Sequence, residues 1–236
     1  METLKQGTAE IDLAVQSVRE LNAELHAPNA QRYVVRHPRG AHAVAAGVNA
    51  PLEVQIDGDV GYYCAGMNQE GLITVEGSAG PGVAENMMSG VVRIRGNASQ
   101  SAGASSHGGL LIIEGNVSTR CGISLKGGDI VVGGNMGAMG AFMAQAGRIV
   151  VCGDAGDGLG DSIYEADIYV RGTVGTLGAD CIKKDMGPAH RKALRDLLAQ
   201  ADMAPQAEKQ DYLDGFSRYG SARKLYHFTH EHARSY

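Results

Sequence analysis

The chain has 236 residues, 44% of them hydrophobic, so it is long enough to bury a sizeable core. Its formal net charge of -5 argues against a nucleic-acid or anionic-membrane partner, because either would require a basic surface. No stretch approaches the roughly 18 apolar residues of a membrane helix, and the opening "METLKQGTAE" lacks the pattern of a signal peptide. These features predict a cytoplasmic protein with no nucleic-acid and no membrane partner.

The first segment, residues 1–51, is predicted to cap one end of the fold. Apolar residues recur in it at helical spacing, and "RYVV" at 32–35 indicates an irregular first strand. The helical positions are Ile11, Val15, Val18, Leu21 and Leu25.

The second segment, residues 52–182, is a repeat with a period of 19 residues. Before each repeated glycine lies a short β-type segment, such as "LITVE" or "RIVVC", whose second and fourth residues are always aliphatic. A unit this short cannot bury its own apolar face, so successive units must cover one another. The pattern predicts an all-β fold, a right-handed parallel β-helix (β-solenoid) of about seven 19-residue turns. The glycines predicted at its structural corners are Gly58, Gly77, Gly96, Gly115, Gly134, Gly153 and Gly172.

The third segment, residues 183–236, is predicted to hold a helical cap followed by an extended tail. Pro188 is typical of a helix N-terminus, and leucines follow it at helical spacing. Aromatic residues spaced along the tail suit docking into pockets, either on this solenoid or on another chain. They are Tyr212, Phe216, Tyr219, Tyr226, Phe228 and Tyr236.

Outward-facing strand positions of the central turns form an apolar patch, which we call the aliphatic patch. Large apolar patches are rare on free monomers, so this one predicts an interface. Two occupants remain open, namely a partner subunit or the chain's own terminal segments. The patch consists of Leu72, Val91, Leu110, Ile112, Val131 and Val150.

Four features contain residue types that could form a chemical site. In "GDAGDGLGD" (153–161) the glycines fall on the repeat's own registers, and its aspartates suit a hydrated corner better than a calcium loop. "HFTHEH" (227–232) lacks the spacing of a zinc motif, and His107 suits a turn residue. The four cysteines are too far apart for a metal cluster and suit reduced structural thiols. We therefore predict no catalytic, cofactor-binding or metal-binding residue in this chain.

The repeats resemble the GXGXG β-helix region at the C-terminal end of the glutamate synthase large subunit. The resemblance covers about residues 52–180 and is carried by "GSAGPGVAENMMSGVVRIRGNASQSAGASSHGG" and "DIVVGGNMGAMGAFMAQAGRIVVCGDAGDGLGDSIYEADIYVRG". With the ending "GFSRYGSARKLYHF", the chain is most similar to the free-standing version of that region, the small β-helix subunit of N-methylglutamate synthase.

The resemblance implies a non-catalytic scaffold in a glutamate-synthase-like complex. The partners it implies are a class II glutamine amidotransferase subunit and an FMN-dependent synthase subunit, which would carry the FMN and an iron–sulfur cluster. The complex would convert L-glutamate and methylamine into N-methyl-L-glutamate and ammonia, or else make glutamate. Two alternatives remain, a β-helix subunit of a formylmethanofuran dehydrogenase or formyltransferase/hydrolase one-carbon complex, and an independent carbohydrate-active β-helix enzyme.

Overall fold

The computed structural model describes residues 5–202 and 210–223. Within them lie three helices, α1 (Val18–His26), α2 (Pro188–Gln200) and α3 (Gln210–Asp214). One eleven-stranded sheet runs in the order β1-β2-β3-β4-β5-β6-β7-β8-β9-β11-β10. Its strands are β1 (Lys5–Asp12), β2 (Ala30–Arg36), β3 (Glu53–Ile56), β4 (Leu72–Val75), β5 (Val91–Ile94), β6 (Leu110–Ile113), β7 (Lys126–Val132), β8 (Ala146–Val151), β9 (Asp167–Val170), β10 (Cys181–Lys184) and β11 (Ser217–Ser221).

Strands β3 to β9 stack in parallel, and residues pair with those 19 positions along the chain, as Val54 does with Ile73, except at the start of β7, where Lys126 pairs with Ala146. A second column of parallel bridges runs along another side, from Val60 through Ala79 and onward to Val174. The chain therefore winds once per repeat, which confirms the predicted parallel β-solenoid of about seven turns. The aliphatic pairs of each strand point inward and form a continuous buried core.

The repeated glycines allow successive turns to approach closely. A Cβ on Gly115 would lie 2.7 Å from the carbonyl oxygen of Gly96 in the turn below, and the later glycines of the column are similarly crowded. Such a contact is shorter than any side chain tolerates, so a larger residue would force the turns apart. The column marks a place where the backbones of two turns nearly touch.

A second column of small residues lies seven positions after each repeated glycine, and in its first six members, from Ala65 to Gly160, the backbone adopts positive φ. Ala84 has φ +56° and Gly122 has φ +65°, and both are fully buried. A Cβ on Gly122 would also lie 2.5 Å from Cδ1 of Ile149. Both the left-handed backbone and the core beneath it exclude larger side chains here.

The N-terminal segment departs from its predicted helical span. Ile11 lies in strand β1, paired in parallel with Val35 of β2, and Val15 is exposed in the following turn. The helix begins only at Val18, where Ser17 and Glu20 form a capping box. Its buried residues Leu21 and Leu25 belong to the main core, so this helix covers the first turn of the solenoid. The spacing predicted a helix but placed its start too early.

The C-terminal segment returns to the sheet. Helix α2 confirms the predicted helix and has Pro188 in its first turn. Strand β11 then inserts antiparallel between β9 and β10, a pairing that the sequence pattern did not indicate. The solenoid therefore ends in an antiparallel unit rather than in one more repeat.

Candidate interaction surfaces

The outer flank of the strand sheet is covered over its second half, β6 to β9, which we call the covered half. Helix α2 lies over these strands and buries Leu194, Leu197 and Leu198 against them. The outward side chains beneath the helix are fully buried, namely Ile112, Val131, Val150 and Tyr169. This apolar cluster is separate from the solenoid core and holds the helix on the flank.

Most of the aliphatic patch is therefore covered by the chain's own C-terminal helix. Leu110, Ile112, Val131 and Val150 are buried, so they offer no surface to a partner in this conformation. Val91 is partly buried at the edge of the same cluster. Leu72, by contrast, is 53% exposed. For the four buried residues, the cover is the chain's own C-terminal helix, which is one of the two occupants that the sequence left open.

Arg93 of β5 marks the end of the covered half. Its guanidinium donates to Glu114 Oε1 at 2.8 Å and to Asp202 Oδ2 at 2.5 Å, and only 11% of its side chain is exposed. It also approaches the carbonyl oxygen of Ala201 at 3.5 Å. Because helix C-termini favour cations, Arg93 fixes the end of α2 to the sheet.

Strands β2 to β5 form the other half of this flank, the open half, which carries charged and polar side chains. Arg36 bridges Glu10 and Asp57 across neighbouring strands. Arg95 likewise contacts Glu114 at 2.5 Å. Ion pairs of this kind contribute little to stability, because water solvates both charges. The open half of the flank is therefore a hydrated surface.

A polar ladder runs along the corner that follows the strands, and the sequence analysis missed it. The side-chain oxygen of each member except the last, Thr173, accepts a hydrogen bond from the backbone N–H of the equivalent residue one turn later, at 2.7 to 3.1 Å. The signal was present, because a short polar residue follows every repeated glycine. The members are Asp59, Ser78, Asn97, Asn116, Asn135, Asp154 and Thr173.

The aspartates of "GDAGDGLGD" take part in local contacts between turns. Asp154 accepts from the Thr173 backbone at 2.7 Å and from its hydroxyl at 2.9 Å, and these bonds lower the pKa of its carboxyl group. Asp161 accepts from the Ser162 hydroxyl at 2.8 Å and from the Ala179 backbone at 3.2 Å. Among the described residues no group of three metal-ligating side chains comes together. The histidines 227, 230 and 232 lie outside the described residues.

None of the four cysteines forms a disulfide with another described residue, and three of them are buried. Burial raises the pKa of Cys64 and of Cys121 to about 12, and that of Cys181 to about 11. Burial also raises the pKa of Cys152, against the opposing effects of Tyr212 and Arg171. These thiols stay protonated at neutral pH, which makes them weak nucleophiles and metal ligands. His107 is exposed in the irregular stretch before β6.

The first three aromatic residues of the C-terminal segment contact this solenoid. The Arg171 guanidinium lies 4.4 Å from the centre of the Tyr212 ring, and that ring meets Phe216 edge-on. Phe216 is buried in the cluster beneath α2, and Tyr219 packs against the solenoid core. Tyr226, Phe228 and Tyr236 lie outside the described residues.

A polar cleft of about 190 Å³ opens where the repeats end. The turn before β9 and strands β9, β10 and β11 form its walls, and Lys184, Arg218 and Arg223 line it. A second cavity of about 350 Å³ shares Tyr164 and Glu165 with it and adds Met143.

None of the helices described is long and apolar enough to cross a bilayer.

These features define a parallel β-solenoid that offers outer surfaces and a polar cleft at the end of the repeats. The protein GlxC of Rhizobium meliloti (strain 1021) is 57% identical over 230 residues, which cover 96% of this chain and 99% of that protein. The chain therefore belongs to the GlxC family.

The fold also recurs in a solved multi-subunit assembly. A chain in the crystal structure of the formyltransferase/hydrolase complex FhcABCD from Methylorubrum extorquens, determined with methylofuran, superposes with a TM-score of 0.60. The match covers 86% of this chain and 91% of that chain at 22% identity, so it shows a shared fold. No protein-family model matches the sequence.

Proposed function

We propose that this chain is a non-catalytic scaffold subunit of a glutamate-synthase-like complex. The observation that carries the proposal is that polar side chains of the stacked turns make hydrogen bonds within the chain itself. Ladder residues such as Asn116 and Asp154 bond the next turn, and Arg93 fixes a helix. These groups stabilise the solenoid. We therefore infer that the chain acts by binding other proteins on its outer surfaces.

Within that class we propose N-methylglutamate synthase. The complex would form N-methyl-L-glutamate and ammonia from L-glutamate and methylamine. An amidotransferase-like subunit and an FMN-dependent synthase subunit would bind to this chain, and the synthase would hold the FMN and the iron–sulfur cluster. The sequence resemblance over about residues 52–180 supports this assignment. Membership of the GlxC family supports the broader class, a subunit of a glutamate-synthase-like complex.

A second candidate is a scaffold in a one-carbon complex, which the fold shared with the FhcABCD chain favours. At 22% identity that similarity concerns architecture alone. The two candidates differ in the partners that they require, and that difference can be measured directly.

The test is to isolate the tagged full-length chain from its native host and identify the proteins that accompany it. An amidotransferase and a flavoprotein in constant ratio support the first candidate, and a formyltransferase or a molybdenum or tungsten enzyme supports the second. A solitary protein with carbohydrate-cleaving activity would overturn both.

Leu72 is the member of the aliphatic patch that we propose to contact a partner. Leu72→Asp places a charge on an exposed position, so the chain should fold while partner recovery falls. The matched control is Thr74→Asp, two residues along the same face of β4. If the Leu72→Asp chain recovers its partners as fully as the Thr74→Asp chain does, Leu72 does not contact a partner.

A further inference from the structure

Charged side chains of both signs line the cleft at the end of the repeats. Its lining includes three cations, Lys184, Arg218 and Arg223, and two carboxylates, Asp167 and Glu165. Arg218 donates to Asp167 at 2.7 Å and to the Asp185 carbonyl oxygen at 2.9 Å. Arg223 pairs with Asp180 at the rim. These two arginines are therefore neutralised by neighbouring aspartates.

Among the described residues, Lys184 is the cation of this cleft that has no carboxylate within salt-bridge distance. Its ammonium group donates to the carbonyl oxygen of Ser221 at 2.8 Å, which is a neutral acceptor. Within residues 5–202 and 210–223 this is its one polar contact, and the residue is half-buried. An ammonium has three donors, and withdrawing it from water is unfavourable unless an anion compensates. The cleft thus presents an ammonium group suited to an incoming carboxylate.

The second cavity places two apolar side chains next to this charge, and Gln145 and Glu165 complete its lining. Met143 and Tyr164 are 43% and 40% exposed and line the second cavity, which shares Tyr164 with the polar cleft. The Arg223 guanidinium lies 5.8 Å from the centre of the Tyr164 ring, so the two cavities meet at that ring. Methionine and tyrosine form adaptable apolar contact surfaces. The combined site fits a ligand with a carboxylate next to an apolar side chain.

We propose that this cleft binds an acidic peptide segment of a partner subunit. One carboxylate of the segment pairs with Lys184, and a neighbouring apolar side chain packs on Met143 and Tyr164. A peptide matches the composite site better than a small anion, because the polar cleft and the apolar cavity lie side by side along an open surface. The choice of a partner subunit as the source rests on the scaffold function proposed above.

The first test measures binding of a fluorescein-labelled peptide of alternating leucine and glutamate to the full chain by fluorescence anisotropy. We expect Lys184→Met to weaken binding about tenfold, as expected for the loss of a hydrogen bond to a charged group. Lys183→Met is the matched control, because adjacent strand residues point to opposite faces and Lys183 lies outside the cleft lining. A peptide with glutamine in place of glutamate should bind the wild-type chain about tenfold more weakly.

Equal binding of the two peptides, or equal effects of the two lysine variants, would overturn the proposal. Displacement of the labelled peptide by millimolar succinate as effectively as by unlabelled peptide would also overturn it, in favour of a free dicarboxylate ligand. A circular dichroism melt of each variant checks that both remain folded.

The second test separates this inference from the scaffold function. The tagged Lys184→Met and Lys183→Met chains are isolated from the native host, and we expect partner recovery to fall for Lys184→Met alone. If both variants recover their partners fully, the scaffold function stands and the cleft proposal fails. If the wild-type chain recovers none, the scaffold function fails and the peptide titration alone decides on acidic-peptide binding.

Discussion

The covered and open halves of the strand flank are built on the same 19-residue repeat but differ in one set of positions. All four residues of β6, "LLII", are buried, whereas in β3, "EVQI", buried positions alternate with more accessible ones. Strands buried on both faces carry continuous apolar runs, and strands with one hydrated face alternate. The comparison shows that the inward residues form the core of the solenoid, whereas the outward residues determine whether its flank is covered by a helix or exposed to solvent.

The largest expected effect comes from placing a charge in the covered half. Ile112→Asp puts an unpaired carboxylate beneath α2, which should lower the free energy of unfolding by about 4 kcal/mol or more. Thr74→Asp, at the same strand position in the open half, should change it by about 0.5 kcal/mol or less. Urea unfolding followed by circular dichroism measures both.

Similar stabilities for these two variants would show that α2 does not rest on the flank in solution. The apolar cluster would then be free for a partner, and the two halves would differ in composition alone.

A smaller loss is expected from truncating the helix side of the same contact. Leu197→Ala removes a buried side chain from α2 and should cost about 2 to 4 kcal/mol, because the rigid sheet below cannot close the cavity. Leu72→Ala on the open half is the control and should cost about 0.5 kcal/mol or less. The measurement is again urea unfolding, and equal costs would contradict a packed helix.

Much of the solenoid could be predicted from the sequence because each turn places like residues on like. Val54 and Ile73 pair in the structure for the same reason that they match in the sequence. Strand β11 could not be predicted, because it pairs antiparallel with β9 across a long stretch of chain and belongs to no repeat. Its "SRYGS" carries no alternating pattern to indicate a strand.

The surfaces were less predictable than the core. The repeat was enough to predict which apolar strand residues face outward. It could not predict that α2 covers them, because the spacing of Leu194, Leu197 and Leu198 is equally compatible with a helix that caps the solenoid, one that packs on its flank and one that binds a partner. The polar ladder could have been found, since a short polar residue follows every repeated glycine. The end cleft could not, because β10 and β11 bring Lys184 and Arg218 together only after the chain folds back.

The boundary between the halves should show an intermediate effect. Arg93→Met removes the contacts that hold the end of α2 and should cost about 1 to 2 kcal/mol. Arg95→Met, two residues along, removes a side chain that is 47% exposed and should cost about 0.5 kcal/mol or less. Amide hydrogen exchange of α2 should accelerate at its C-terminal end in Arg93→Met alone. Unchanged exchange there would mean that the apolar cluster holds the helix without Arg93.

The smallest effect concerns Asp154, which belongs to a turn of the covered half but lies on the ladder rather than beneath α2. Hydrogen bonds from Thr173 lower its pKa below the ordinary value of 3.8, so the native state holds the ionised form more strongly than the unfolded chain does. Its stabilisation is therefore complete above that ordinary pKa and is lost as pH falls through the lower, folded-state pKa. Asp154→Asn keeps an accepting oxygen, as Asn97, Asn116 and Asn135 do in earlier turns, but does not titrate. Urea unfolding at a series of pH values should show the wild-type chain losing stability relative to Asp154→Asn only below about pH 4. Asp157→Asn, on the same turn, controls for the loss of one negative charge. If the two variants show the same dependence of stability on pH, protonation of Asp154 in the ladder is not the cause of the loss at low pH.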